Sequence, residues 1–271
     1  MIEVKNLTKA YPLGIRDKKY KKAVDDVSFF LNSGETLGII GESGCGKTTL
    51  AKMILRLIPA TSGQIVLDGI NITGLKHGQL KSFRKRIQIM FQNPESSLNP
   101  RMKIYHSIAE VLRIHHIVRR KSDEEKKKVK ELAGMVGLQP EHLNRYPHEL
   151  SGGQVQRAVL ARVLSLEPEI LIADEPTSML DVSVQAQILT KLKEMQKKFN
   201  FSMVFIAHDL DVIRIMCNQV LVMYQGKVVE HGSVEEIFKH ATHPYTKSLL
   251  NEFYCLSGEG PVNTDMEVGL C

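Results

Sequence analysis

Eight residues, Gly41-Glu42-Ser43-Gly44-Cys45-Gly46-Lys47-Thr48, constrain this chain more than any others. They follow a short apolar run at residues 35–40 and precede a stretch of helical periodicity that stops before Pro59. The spacing G-x-x-x-x-G-K-[ST] between a strand and a helix is that of a phosphate-binding loop. Its glycines let the backbone curl so that successive N–H groups face inward, and the helix start adds the positive end of its dipole. Lys47 then reaches the outer phosphates as a point charge, and Thr48 offers a hydroxyl to Mg²⁺. Residues 41–48 and the adjoining Thr49 are therefore candidates for holding a nucleotide. The plain alternative, a chance glycine turn, does not account for the full spacing in this context. A thiol at a helix N-terminus can be acidified, so modification of Cys45 is expected to interfere with ATP binding.

Patterning along the chain alternates strands with helices. Residues 2–7 and 24–31 alternate as strands, with a basic loop, RDKKYKK, at 16–22. Asp68-Gly69 is a hairpin turn signal within 65–72, and Gln225-Gly226 another between 220–224 and 227–230. Residues 86–91 read as a strand, 102–166 as helical, 170–173 and 203–207 as buried strands, and 182–198 as a helix. Buried apolar strands alternating with helices predict an α/β core with parallel strands. The hairpins near both ends predict an added antiparallel β-subdomain, and the central run an inserted α-helical subdomain. The mixed charges of residues 119–130 read as a solvated helix face without a site.

Two further segments carry chemistry. Ile170-Leu171-Ile172-Ala173-Asp174-Glu175 is an apolar strand ending in two carboxylates. A parallel strand beside the phosphate loop would aim that end at the same crevice. Asp174 would then hold Mg²⁺, and Glu175 would polarise an attacking water as general base. The bland reading, a strand running out into acidic solvent-facing residues, loses ground once the phosphate loop is present. Leu150-Ser151-Gly152-Gly153-Gln154 opens a helical run, with Ser151 as N-cap and two glycines baring backbone N–H groups. That is a second anion-binding helix start in a chain whose own loop already cradles one ATP. It fits a second ligand, or the same ligand seen from a neighbouring subunit.

Composition narrows the class. The chain has 271 residues, 43% hydrophobic and 24% charged, which suits a globular protein with a core. No run of 18 apolar residues and no signal peptide is evident, so membrane action would require docking onto other subunits. Cys45, Cys217, Cys255 and Cys271 form no C-x-x-C pair, which speaks against zinc or iron–sulfur and fits a reducing cytosol. A net charge of +6 is too moderate to identify a partner.

The L-S-G-G-Q segment resembles the signature sequence of the ABC ATPase family, and other family elements follow in the family's order. Tyr11 resembles the aromatic residue that stacks on adenine. Gln92 resembles the glutamine that senses Mg²⁺, water and the transmembrane partner. Ser178-Met179-Leu180-Asp181 resembles the loop that crosses the dimer interface, with Met179 replacing the usual alanine. His208 resembles the switch histidine that contacts the γ-phosphate. The resemblance implies a P-loop NTPase (RecA-like) ATPase domain over residues 1–240, with its helical subdomain at about 92–157. It implies ATP and Mg²⁺ as ligands, and two subunits that pair head to tail with each ATP between one phosphate loop and the other's residues 151–154. Asp181 joins the nucleotide-binding set through that interface.

Gln92-Asn93-Pro94-Glu95-Ser96-Ser97-Leu98-Asn99-Pro100-Arg101 and His243-Pro244-Tyr245 are similar to the glutamine loop and tail start of ATPases from the oligopeptide, dipeptide and nickel uptake group. Pro244 also suits the first turn of a helix. This resemblance implies a motor subunit of a membrane importer, peripheral on the cytoplasmic face. Its partners would be a second, related ATPase subunit (a homodimer being the alternative), two permease subunits gripped by the helical insert, and, indirectly, an external binding protein. Residues 241–271 would form the tail, with no iron expected and disorder expected over 257–271. A soluble ABC ATPase acting on nucleic acid or ribosomes is the competing class. Such chains usually carry two cassettes or long inserts, so no nucleic-acid partner is expected here. Nothing in the chain separates peptide from nickel as cargo.

Overall fold

A computed structural model describes residues 1–13, 20–76 and 78–257. Residues 14–19, which include the first part of the basic loop, and 258–271 of the tail, on which two of the expectations above fall, lie outside the described residues. The chain divides into two compact units.

The first unit comprises the described residues of Met1–Leu31, Thr36–Thr73 and those from Phe205 on. Its antiparallel sheet runs β2-β1-β4-β5, from β1 (Ile2–Pro12), β2 (Tyr20–Leu31), β4 (Ser62–Leu67) and β5 (Ile70–Asn71). β1 runs five residues past the alternation that announced it. The cause is a bulge: Asn6 and Asp26 both take positive φ, and their side chains bond at 2.9 Å. Register shifts there break the two-residue period that the eye follows. Tyr20, Lys21 and Lys22 belong to β2 rather than to a loop. Asp68-Gly69 turns β4 into β5 with positive φ at both residues, as this turn type requires.

The same unit holds β3 (Thr36–Ile40), buried at all five positions and parallel to β9 (Gln219–Tyr224). β9 turns at Gln225-Gly226 into β10 (Lys227–Ser233), again with both φ values positive. Its helices are α1 (Lys47–Ile54), α7 (Leu210–Met216), α8 (Val234–His240) and α9 (Pro244–Ser257). α8 is closed by a capping box between Ser233 and Glu236.

The second unit comprises Asn32–Glu35 and the described residues of Gly74–Val204. It pairs β6 (Ile87–Met90) in parallel with β7 (Ile170–Asp174). It also holds α2 (Leu80–Arg86), α3 (Ile104–Ile114), α4 (Asp123–Met135), α5 (Gly152–Leu164) and α6 (Val182–Phe199). The single helical run expected over 102–166 is three helices: residues 115–122 separate α3 from α4, and two 3₁₀ turns that begin at Pro140 and Pro147 lie between α4 and α5. α3, α4 and α5 pack on one another, and Ile108, Leu112, Val129, Leu132 and Val155 on them are buried. The chain leaves this unit within β8 (Ser202–Ile206), whose five residues are all buried.

Candidate functional site

Within the first unit, β3 delivers the chain into the phosphate loop and α1 takes it out. Gly41 has φ 142°, and a Cβ there would lie 2.1 Å from the Met223 carbonyl oxygen. Gly46, the N-cap of α1, has φ 114°, and a Cβ would lie 2.2 Å from the Ala23 carbonyl oxygen. Glycine is thus required twice, by conformation and by space. No side chain caps α1, and a helix start of this kind suits an anion. Gly44 has open space where a Cβ would be, and Glu42, Ser43 and Thr48 are exposed beside it, with Thr49 half-buried.

Lys47 is only 5% exposed. Its Nζ donates to the carbonyls of Gly41 at 2.6 Å and Glu42 at 2.9 Å, so the loop folds around the ammonium that the sequence assigns to phosphates. Cys45 is buried, and burial pushes its thiol up despite the nearby Lys47. The acidified thiol expected from its place at a helix start is therefore not found: desolvation outweighs the pull of Lys47.

Tyr11 lies near the end of β1, opposite Lys21, exposed, with the Lys9 ammonium 5.1 Å from its ring centroid. His208 is exposed just after β8. The next residue, Asp209, caps α7 by accepting the N–H groups of Asp211 and Val212.

Within the second unit, parallel pairing places the ends of β6 and β7 side by side, with Met90 opposite Ala173. Gln92, two residues beyond β6, consequently meets Glu175, one residue beyond β7. Gln92 Nε2 donates to Glu175 Oε2 at 2.6 Å. Glu175 adopts φ 50°, a left-handed conformation that a non-glycine residue holds only where its surroundings impose it. Its carbonyl accepts the N–H and hydroxyl of Ser178. Asp174, the last residue of β7, is 3% exposed. Gln156, which the sequence did not single out, is buried and donates to the Pro176 carbonyl, tying α5 to the turn after Glu175.

Ser151 caps α5, accepting the Gln154 N–H, while the Gln154 side chain accepts the Ser151 N–H. Gly152 is exposed and Gly153 is buried, neither with positive φ. A Cβ on Gly153 would lie 2.4 Å from Val184 Cγ1, and one on Gly152 3.1 Å from Leu180 Cδ2. These glycines therefore also let α5 approach the segment carrying Asp181, which itself caps α6 by accepting the Val184 N–H.

A phosphate loop folded on its lysine and a buried strand ending in Asp-Glu define a P-loop nucleoside triphosphatase. The family model for the ABC transporter matches residues 24–178, more than half of the chain, and the chain belongs to that family. It is 46% identical over 252 residues to the oligopeptide transport ATP-binding protein OppF of Bacillus subtilis, covering 93% of this chain and 81% of that one. It is 42% identical over 253 residues to the dipeptide transport ATP-binding protein DppF of Lactococcus lactis, covering 93% and 80%. Among solved structures, the dimeric post-hydrolysis state of the ATP-binding cassette MJ0796 bound to ADP and Pi matches with a TM-score of 0.78 and 29% identity, over 86% of this chain and 99% of that one. The fold is that of ABC ATPase cassettes, and the chain is an ATPase of that type.

Proposed function

We propose that this chain is the ATP-hydrolysing motor of an ABC importer and drives uptake of oligopeptides or dipeptides across the cytoplasmic membrane. The likeness to oligopeptide and dipeptide transport ATP-binding proteins supports that cargo class, and the tail start His243-Pro244-Tyr245 fits the wider uptake group. No helix among the described residues is long and apolar enough to cross a membrane, so the chain is proposed to dock peripherally on permease subunits through its helical segment at about 92–157. The ATPase domain is proposed to span residues 1–240, with 241–271 as tail.

The contact that carries the chemical reading is Gln92 on Glu175. Glu175 takes the proton of the attacking water as general base, and the amide of Gln92 holds one of its oxygens in a fixed direction. The N–H groups of residues 41–49 and Lys47 bind the phosphates, Tyr11 stacks on adenine, and His208 donates to the γ-phosphate. Thr48, Asp174 and Gln92 present oxygen donors, one of them a buried carboxylate, which is a set that fits Mg²⁺. Bound there with ATP, Mg²⁺ would neutralise charge on the phosphate oxygens. Ser151, Gly152, Gly153, Gln154 and Asp181 serve the ATP bound by a partner subunit, and the partner's equivalent segment serves this chain's. ATP favours the closed pair and ADP does not, and that difference drives the cycle.

Co-purification from native membranes tests this. Recovery of two permease subunits and a second ATPase is expected, with hydrolysis stimulated by a peptide-loaded binding protein. Hydrolysis indifferent to peptide, yet stimulated by nucleic acid in a salt-sensitive way, would overturn it.

A further inference from the structure

The phosphate loop touches a part of the chain that its motif does not include. α9 begins at Pro244, and the next residue, Tyr245, is half-buried against the loop. Its hydroxyl accepts the backbone N–H of Glu42 at 2.9 Å, across 203 residues of sequence. Its ring stacks on Tyr224, the last residue of β9, with centroids 4.2 Å apart and planes at 30°. The next turn closes the same frame: the Gly226 N–H donates to the Cys45 carbonyl, and the Met223 carbonyl faces Gly41.

The Glu42 peptides are thus held at both ends. The N–H side is fixed by Tyr245, and the carbonyl side accepts from Lys47 and from the Cys45 N–H. A rotation of this residue would move the carbonyl that holds Lys47. The tail residue and the phosphate-binding lysine are therefore one bonded unit apart.

Tyr245 is itself held firmly. Glu230 on β10 accepts the N–H and hydroxyl of Thr242 and the N–H of His243, fixing the entry to α9. The His243 ring nitrogen accepts the Tyr245 N–H. At the far end, the Tyr254 hydroxyl donates to the Phe238 carbonyl, and Phe253 packs edge-on against Phe238. Burial pushes the Tyr245 phenol up, so it stays neutral at working pH.

We propose that Tyr245 is a positioning residue for ATP, holding the Glu42 peptide, and through it Lys47, in the arrangement that receives the phosphates. This rests on the ATPase reading above and adds the C-terminal helix to its nucleotide site. A loop fixed in advance loses less freedom when the nucleotide binds. Removing one hydrogen bond should therefore weaken ATP binding by about threefold to tenfold while leaving the chemical step alone.

The test is Tyr245→Phe in the full chain, which keeps the ring on Tyr224 and deletes only the hydroxyl. Expected are a KM for ATP raised about threefold to tenfold with kcat within about twofold of wild type. Hydrogen–deuterium exchange should rise at residues 41–46 and stay unchanged across residues 246–255. A KM and a loop exchange rate equal to wild type would overturn the proposal. So would exchange rising equally in both segments, because the hydroxyl would then serve only to dock the helix. Wild-type chain that failed to bind ATP would instead overturn the ATPase reading.

Discussion

Gly153 shows how little room single positions leave. A methyl group there would meet a Val184 methyl at 2.4 Å, well inside contact distance, so either α5 moves off α6 or Val184 turns. Gly153→Ala should therefore cost about 1–3 kcal/mol, read as a lowered thermal midpoint. An unchanged midpoint would mean that Val184 simply turns aside. Such positions divide by what the sequence can carry. The glycines of residues 41–46 announced themselves, because a fixed spacing states the backbone requirement directly. Gly153 announced a helix start but not its packing partner. Tyr245 announced a helix and a family likeness and gave no sign of Glu42, since a contact across 203 residues leaves no local pattern. Cys45 went the other way: its position suggested an acidic thiol, and only burial showed the opposite.

Between elements, the telling feature is a buried carboxylate joining α3 to α4. Glu125 is 1% exposed and accepts a paired contact from the Arg113 guanidinium and a hydrogen bond from the Tyr105 hydroxyl at 2.9 Å. The Arg113 hydrogen bond holds its carboxyl down at about 2, against the cost of burial. Because the folded pKa lies below the ordinary value of 4.5, the stabilisation is complete above that value. It declines as pH falls from there towards about 2, where protonation removes it. Arg113→Leu leaves the carboxylate unpaired and should cost about 3 kcal/mol at neutral pH, with the penalty shrinking as the solution is acidified below pH 4.5. Chemical denaturation of both proteins at pH 7 and pH 3 reads this, and an equal penalty at both would contradict it. Here too the sequence showed part: residues 119–130 read as a solvated face, and most of it is, while Glu125 turns inward. The core strands β3, β7 and β8 were legible as short apolar runs, and the long helix α6 because its burial follows a clean period. α2, with Leu80 as its one buried residue, had no period to see. α7 and α8 are seven residues each, too short for one.

For the whole molecule, ATP is proposed to sit in a site completed by a second subunit. Ser151→Arg places a bulky cation at an exposed helix start whose proposed ligand belongs to the partner. Hydrolysis by the assembled transporter should fall, while ATP binding by the isolated chain should stay within about twofold, because its own loop is untouched. Loss of binding in the isolated chain would argue for a site within one subunit. The most direct test of the central claim uses Glu175→Gln beside wild type, in the assembly purified with its permease subunits. The measurements are ATP retained and phosphate released. The amide keeps the size of the side chain and gives up the base. The variant should retain ATP at the wild-type stoichiometry, while its turnover falls roughly 10²–10⁴-fold. Phosphate release at the wild-type rate would contradict the claim that Glu175 activates the water.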